Sequence, residues 1–302
     1  MSTINTSSFA KALWPGIRKW WGTAYEAWPT EYTQIFDKFS SDKAFEEEMG
    51  FSGFGLFQIK PEGAAISYDS ARQGFRAVYR HDTYTLGFII TKEMIEDDQY
   101  AVIGQKRASA LAESMRETRE VVHANILNRG FNSSYVGADG KELFSTSHPL
   151  FAGGSWSNTL AVAADLSEAA LEQAAIDISG FTDDRGNKKR FMAKKLIVPK
   201  ELMFEAQRIL KTDGRVGTAN NDLNALKTLG IIPEMVVNHY LTDADAWFIK
   251  TNAPDGLKTF DRVADSFDDT TDFDTTNLKY MGRMRFVAGW TDPRGAYASP
   301  GA

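Results

Sequence analysis

A chain of 302 residues with 43% hydrophobic and 25% charged residues can form one large domain or two ordinary ones, and its composition excludes a disordered or fibrous class. The formal net charge of -6 opposes general nucleic-acid affinity, which needs Lys and Arg to displace counterions, and the lack of cysteine excludes disulfides and thiolate metal sites. There is no basic start followed by an apolar run, and nowhere do eighteen apolar residues follow one another, so a cytosolic product without a membrane span is expected.

Residues 1–50 carry Phe9, Trp14, Trp21, Tyr25, Trp28, Tyr32 and Phe36 at gaps dominated by three and four, the spacing of a helix with an aromatic stripe. An ordinary core helix fits the same spacing. Pro15 and Pro29 are expected to break the run into short pieces. Four of the seven tryptophans, Trp14, Trp20, Trp21 and Trp28, fall within the first 28 residues, where a free terminus is normally polar, so this segment needs a surface to bury against.

From 51 to 90 glycines at 53, 55, 63, 74 and 87 separate aromatic and β-branched positions. Phe75, Ala77 and Tyr79 alternate with Arg76, Val78 and Arg80, and Tyr84, Leu86 and Phe88 repeat the pattern, which predicts a protruding β-hairpin. Such a hairpin is marginal alone in water and is expected to lie on a partner. The stretch 91–130 places Ala108, Leu111, Ala112, Met115, Val122 and Ile126 at helical spacing, opened by Thr91 and closed by Arg129 and Gly130. His123 lies inside it, but Leu127 stands where a helix-borne metal site needs its second ligand.

The segment "GKELFSTSHPLFAGGSWSN" sets Ser147 beside His148 in a glycine-flanked loop. Beyond it, 167–181 reads as an amphipathic helix capped by Ser167, "AKKLIVP" as a buried strand, "KELMFEAQRIL" as a third helix, and 230–250 as two short strands. Residues 261–274, "DRVADSFDDTTDFD", hold six aspartates against one arginine and lack calcium-loop spacing, so a solvated acidic loop is expected. "NLKYMGRMRFVAGW" alternates strictly and predicts one long strand.

Enzymatic signatures are sparse. The chain has no Gly-x-Ser-x-Gly turn, no phosphate loop and no dinucleotide fingerprint, and adjacent Ser147 and His148 would point to opposite faces of a strand. No catalytic residue, cofactor site or metal site is assigned.

Taken in order, the glycine-rich hairpin, "YTLGFIITKEMIEDDQY", "DGKELFSTSHPL", "AKKLIVPKELMFEAQRIL" and "MGRMRFVAGWTDP" resemble the major capsid proteins of tailed phages, and most closely the Mu-type prophage head subunits, from about residue 50 onward. The resemblance implies an α+β fold of the Hong Kong 97 type. It would comprise an N-terminal arm (1–50), an extended hairpin loop (51–90), a peripheral domain with a long spine helix (91–144), an axial domain (145–255), and an acidic loop with a return strand to the peripheral domain (256–302). It implies a non-enzymatic subunit that assembles as pentamers and hexamers into an icosahedral shell around phage dsDNA. Assembly would take place in the host bacterial cytoplasm, and the product would be part of the virion. A portal protein, with scaffolding or decoration proteins, would be its partners. Contacts between copies are then expected at Trp14, Trp20, Trp21, Trp28, Phe57, Phe75 and Tyr79, and His148 becomes a loop-fixing residue. Some relatives weld their shells through a lysine and an asparagine with a helping glutamate. Lys60 and Asn277 offer the first two here, but the terminal strand offers Arg283 and Arg285 and no carboxylate. Two other readings remain: a compartment shell of the encapsulin type, and a serine hydrolase using Ser147 and His148.

Overall fold

The computed structural model describes residues 10–27, 29–70, 73–96, 100–150, 153–214, 222–272 and 274–302. The chain begins with helices α1 (Ala10–Glu26) and α2 (Tyr32–Ile35), followed by strands β1 (Asp37–Ser40), β2 (Phe45–Phe51), β3 (Gln73–Arg80) and β4 (Asp82–Ile90). Helices α3 (Lys92–Glu96) and α4 (Tyr100–Asn128) come next, then the short β5 (His148–Pro149) and β6 (Ser155–Trp156) and helix α5 (Glu168–Ser179). Strand β7 (Ala193–Val198), helices α6 (Met203–Lys211) and α7 (Ala225–Leu229), and strands β8 (Glu234–Val237), β9 (Trp247–Thr251), β10 (Leu257–Thr271), β11 (Leu278–Trp290) and β12 (Ala296–Ser299) complete the order. No helix among the described residues is long and apolar enough to cross a membrane.

Two four-stranded sheets organise the molecule, one in the order β1-β10-β11-β4 and the other β12-β9-β7-β8. In the first, β11 shows why a strictly alternating sequence makes a strand. Leu278, Tyr280, Met284 and Phe286 are buried toward α4, while Lys279, Met281, Arg283 and Arg285 face the other way. Helix α4 lies against this sheet through Ala108, Leu111 and Met115, and α1 packs on α4. In the second sheet, Leu196, Val198, Trp247, Ile249 and Tyr297 pack against Leu171, Ala174 and Ile178 of α5. Ser167 caps α5 as expected, its side chain accepting from the Ala170 amide at 3.2 Å. A third cluster joins the sheets: Ile197, Phe248 and Ala298 meet Leu127, Phe144 and Leu257.

Four expectations are corrected. Pro15 does not break the arm, because it falls in the second turn of α1, where the helix loses one backbone bond and continues. The hairpin is not formed by the two alternating runs of 51–90. Instead, β3 pairs with β2, Phe45 opposite Arg80, while β4 pairs with β11, Leu278 opposite Ile90. The first register is local, whereas the second is decided by a distant strand. The acidic segment is no loop: residues 257–271 form β10, antiparallel to β11, with irregular register between Asp261 and Val263 and between Val263 and Ser266. Phe267 turns inward and the carboxylates of Asp261 and Asp265 meet cations, so charge density did not prevent a strand. The final segment divides, since β11 stays in the first sheet while β12 pairs with β9 in the second.

Candidate assembly surface

Between β2 and β3 the chain runs through residues 52–70 without regular structure. Here Phe54, Leu56, Phe57, Ile59, Ile66 and Tyr68 are all exposed, Ile59 by 95% and Phe57 completely. Such a concentration of solvated apolar side chains marks a contact surface. Where the two strands lead into it, Gly50 and Gly74 meet too closely for Gly74 to carry a side chain. A Cβ on Gly74 would sit 2.7 Å from the Gly50 carbonyl oxygen. At its far end Gly63 takes φ +73° and the Ala64 amide bonds to the Pro61 carbonyl, turning the chain back.

Asp69 and Arg185 tie this tip to the rest of the chain. Asp69 accepts from the Gly55 amide at 2.7 Å, the Ser70 amide at 2.8 Å and the Arg185 guanidinium at 2.6 Å. The Gly55 amide, with the Arg185 and Ser70 contacts, lowers the Asp69 carboxyl to about 2. At the base of the hairpin Lys258, buried although charged, lies 2.7 Å from both oxygens of Glu48 and 2.6 Å from Asp255. Burial alone would depress its ammonium, but the bonds to Asp255 and Glu48 outweigh it and hold the group above the usual lysine range. Thr291 donates to Glu48 and pairs with the Tyr79 hydroxyl.

Tyr79 is therefore corrected as an intersubunit residue. It is 4% exposed and packs on Phe260 at 4.9 Å inside its own chain. Alternation assigned it a face but could not tell that this face is the one turned inward. Phe57 stands at the tip, fully available. Phe75 is half-buried on the wall of a cleft of about 200 Å³ shared with Trp156 and Arg294. Trp20 and Trp21 pack partly against Ile17, Leu111 and Phe267, with Trp21 stacked on Tyr25 at 4.9 Å and on Phe267 at 5.5 Å, so part of their area is used within the chain. The side chain of Trp14, and Trp28 altogether, lie outside the described residues.

A buried polar junction joins arm, long helix and sheet, and no motif announced it. Arg119 of α4, 4% exposed, binds Asp261 at 2.8 Å and Asp265 at 2.5 Å and lies 4.5 Å over the Phe286 ring. Tyr25 donates to Asp265 and Lys38 meets Asp261 at 2.9 Å. The next residue, Glu120, accepts from the amides of Glu31 (2.8 Å) and Tyr32 (3.0 Å), and its burial raises its carboxyl above the ordinary range. One turn on, the His123 Nδ1 donates to the Arg119 carbonyl at 2.7 Å and Nε2 lies 2.9 Å from the Thr259 hydroxyl. Burial lowers this imidazole to about 4. His123 belongs to the core, and no cluster of three or more metal-binding side chains occurs among the described residues.

His148 is also scaffold. It is 1% exposed, stacks on Trp156 at 4.9 Å, and holds Asp139 at 2.6 Å through Nδ1 and the Asn158 side-chain oxygen at 3.1 Å through Nε2. Asn158 in turn donates to the carbonyls of Leu143, Pro293 and Ala296, which pins the loop to the entry of β12. With both ring nitrogens engaged elsewhere, His148 has none to offer Ser147, and the hydrolase reading is corrected on that geometry. Lys60 lies on the exposed tip, and the Asn277 side-chain oxygen accepts from the Lys92 amide at 3.2 Å.

A family model described as phage capsid protein matches residues 76–299. Among solved structures, the procapsid of bacteriophage JBD30 is similar at 18% identity and a TM-score of 0.52, over 98% of this chain and 76% of that one. The capsid of cyanophage P-SCSP1u is similar at 11% identity and TM-score 0.55, covering 89% of this chain and 87% of that chain. A virus-like particle from Pyrococcus furiosus is similar at 10% and 0.51, over 94% and 98%. The fold is thus the α+β Hong Kong 97 type over most of the chain. No curated protein matches.

Proposed function

Because this chain belongs to the phage capsid protein family, and is a structural subunit of the virion rather than an enzyme, we propose that it is the major head protein, closing as pentamers and hexamers into an icosahedral shell around phage dsDNA. The observation that carries this is the hairpin tip. Six large apolar side chains held out on a braced two-stranded stalk are a liability in a monomer and a contact surface in a closed array. In this reading β2, the tip and β3 are the extended loop, the first sheet with α4 is the peripheral domain, and the second sheet with α5 is the axial domain. The arm of residues 1–50 then lends β1 to the first sheet and β2 to the loop, and the axial domain of about 145–255 gains β12 from the final segment. Within the family we place the chain with Mu-type prophage head subunits, on the order of its stretches from "YTLGFII" to "MGRMRFVAGW". A portal closes one vertex, with scaffolding or decoration proteins as further partners, and assembly takes place in the bacterial cytoplasm. The overall negative charge suits a wall that does not grip packed phosphates.

Electron microscopy and native light scattering of the purified protein test this. Closed shells are expected, and only a 33.6 kDa monomer under assembly conditions overturns it. The shell is expected to be non-covalent. A lysine amine near pKa ~10.4 is a poor nucleophile without a base to take its proton, and β11 carries Arg283 and Arg285 in place of one. Boiled in detergent, shells should run as one band at the monomer mass, and a ladder of multimers would refute the point.

A further inference from the structure

The face of β11 turned away from α4 carries two arginines that the chain leaves without an anion. Lys279 on this face has Asp272 at 2.7 Å, whereas Arg283 and Arg285 meet no carboxylate among the described residues, and the Arg285 Nε is buried without a partner. Residues two apart on a strand share a side at about 7 Å spacing, so both guanidinium groups serve one patch. Across the ladder Thr85 stands opposite Arg283 and Thr83 opposite Arg285, which sets two hydroxyls beside them. Asp268 of β10, opposite Met281, takes the Ser266 hydroxyl at 3.2 Å instead of an arginine. A third arginine borders the patch: Arg262 lies 3.4 Å from the Ser41 carbonyl and 3.5 Å from the fully exposed Asp42, a loose pair in solvent. His81 touches the same Ser41. It is 8% exposed, its Nε2 lies 3.2 Å from the Ser41 hydroxyl, and its Nδ1 is buried and unpartnered. That hydroxyl donates to Glu46 at 2.7 Å, so Nε2 carries the ring proton and Nδ1 is left bare.

We propose that Arg262, Arg283 and Arg285, with His81 beside them, form a binding site for a free oxyanion of the phosphate class. Guanidinium forks match phosphate oxygens, and two forks fixed on one strand suit an ion with more charge and more acceptor oxygens than a single carboxylate. The surroundings favour a small ion over a phosphodiester chain: Asp82, Asp268 and Asp269 are exposed around the patch, and a polyanion running past the arginines meets them. His81 couples the site to pH. Burial holds its imidazole below the usual histidine range, and Arg285 and Arg262 push the same way against Glu46 and Asp261, with Glu46 itself paired to Lys43 at 3.3 Å. A bound oxyanion cancels the field of the arginines and offers Nδ1 a partner once protonated, so binding takes up a proton and tightens as pH falls.

The full chain is titrated with inorganic phosphate against chloride at constant ionic strength, by calorimetry and by NMR of the His81 ring, whose resonance is identified by its loss in His81→Gln. Phosphate should bind, and the His81 titration should move to higher pH in its presence. Arg283→Gln with Arg285→Gln should weaken binding by about tenfold for each arginine lost. Arg283→Lys with Arg285→Lys, which keeps both charges and guards against a folding defect, should regain only part of it because the forks are gone. Arg208→Gln, on α6 away from the patch, should leave binding unchanged. A short DNA duplex should not displace phosphate. The proposal is overturned by a wild type that shows no phosphate-dependent heat, by a His81 titration that phosphate leaves in place, by a double glutamine variant that binds as the wild type does, or by a duplex that competes for the site.

Discussion

The junction around Arg119 and the tip around Phe57 are both rich in aromatic rings and charges, yet they are stabilised in opposite ways. At the junction every charge has a partner in the same chain: Arg119 has Asp261 and Asp265, Glu120 has two amides, and Lys38 has Asp261. The tip has one exposed clamp and a row of solvated apolar side chains. The difference separates the part of the sequence that folds a subunit from the part that joins subunits. Between them, Lys258 with Glu48 and Asp255 anchors the stalk to the sheet, partly buried on the carboxylate side.

Substitutions along this line should lose effect on subunit stability from junction to tip. Arg119→Ala leaves Asp265 near the core without its cation and Asp261 with Lys38 alone, and should cost about 3–5 kcal/mol, read as a lower urea midpoint. The His123 imidazole is held at about 4 in the fold against 6.5 for the unfolded group, so the unfolded chain binds the extra proton between those values. Its contribution is therefore complete above the unfolded value and is lost as pH falls toward 4, by about 3 kcal/mol. The wild type should show that extra slope of stability with pH, and His123→Asn should lack it. Lys258→Met, which breaks charged hydrogen bonds on a half-exposed side, should cost roughly 1.5–3 kcal/mol by the same measurement. Replacing Phe57 and Ile59 together by serine should change the midpoint least, by about 0.5 kcal/mol or less, while closed shells disappear from micrographs. A large loss of subunit stability in that last variant would erase the contrast between the two regions.

Much of the fold was legible because its signals are local. The period of α4, the cap at Ser167, the alternation of β11 and the apolar run of β7 are each settled within a short stretch of neighbouring residues. What escaped depends on distant partners. Asp261 and Asp265 look like a solvated loop until Arg119, far away in sequence, neutralises them. "FEEEMGF" looks too acidic for a strand until Arg76 and Lys258 face Glu47 and Glu48. An arginine on a long helix ordinarily reads as a solvated face, so Arg119 gave no cue. At the surface, the exposed aromatic stretch was readable as a contact, whereas the inward face of Tyr79 was not, because period two fixes sides without naming them.

The parallel pairing of β1 with β10 sets Asp37 beside Lys258, and Glu31 likewise reaches His239. During synthesis from the N-terminus the arm, stalk and long helix therefore leave the ribosome well before the strands that complete their sheet. Wide separations of this kind slow folding and postpone it until translation has passed β11. A stalled or nicked product that stops short of β10 lacks the carboxylates for Arg119 and the cation for Glu48, and so cannot hold the stalk erect. The first sheet, in the order β1-β10-β11-β4, is thus complete only in a chain whose translation has run past these late strands.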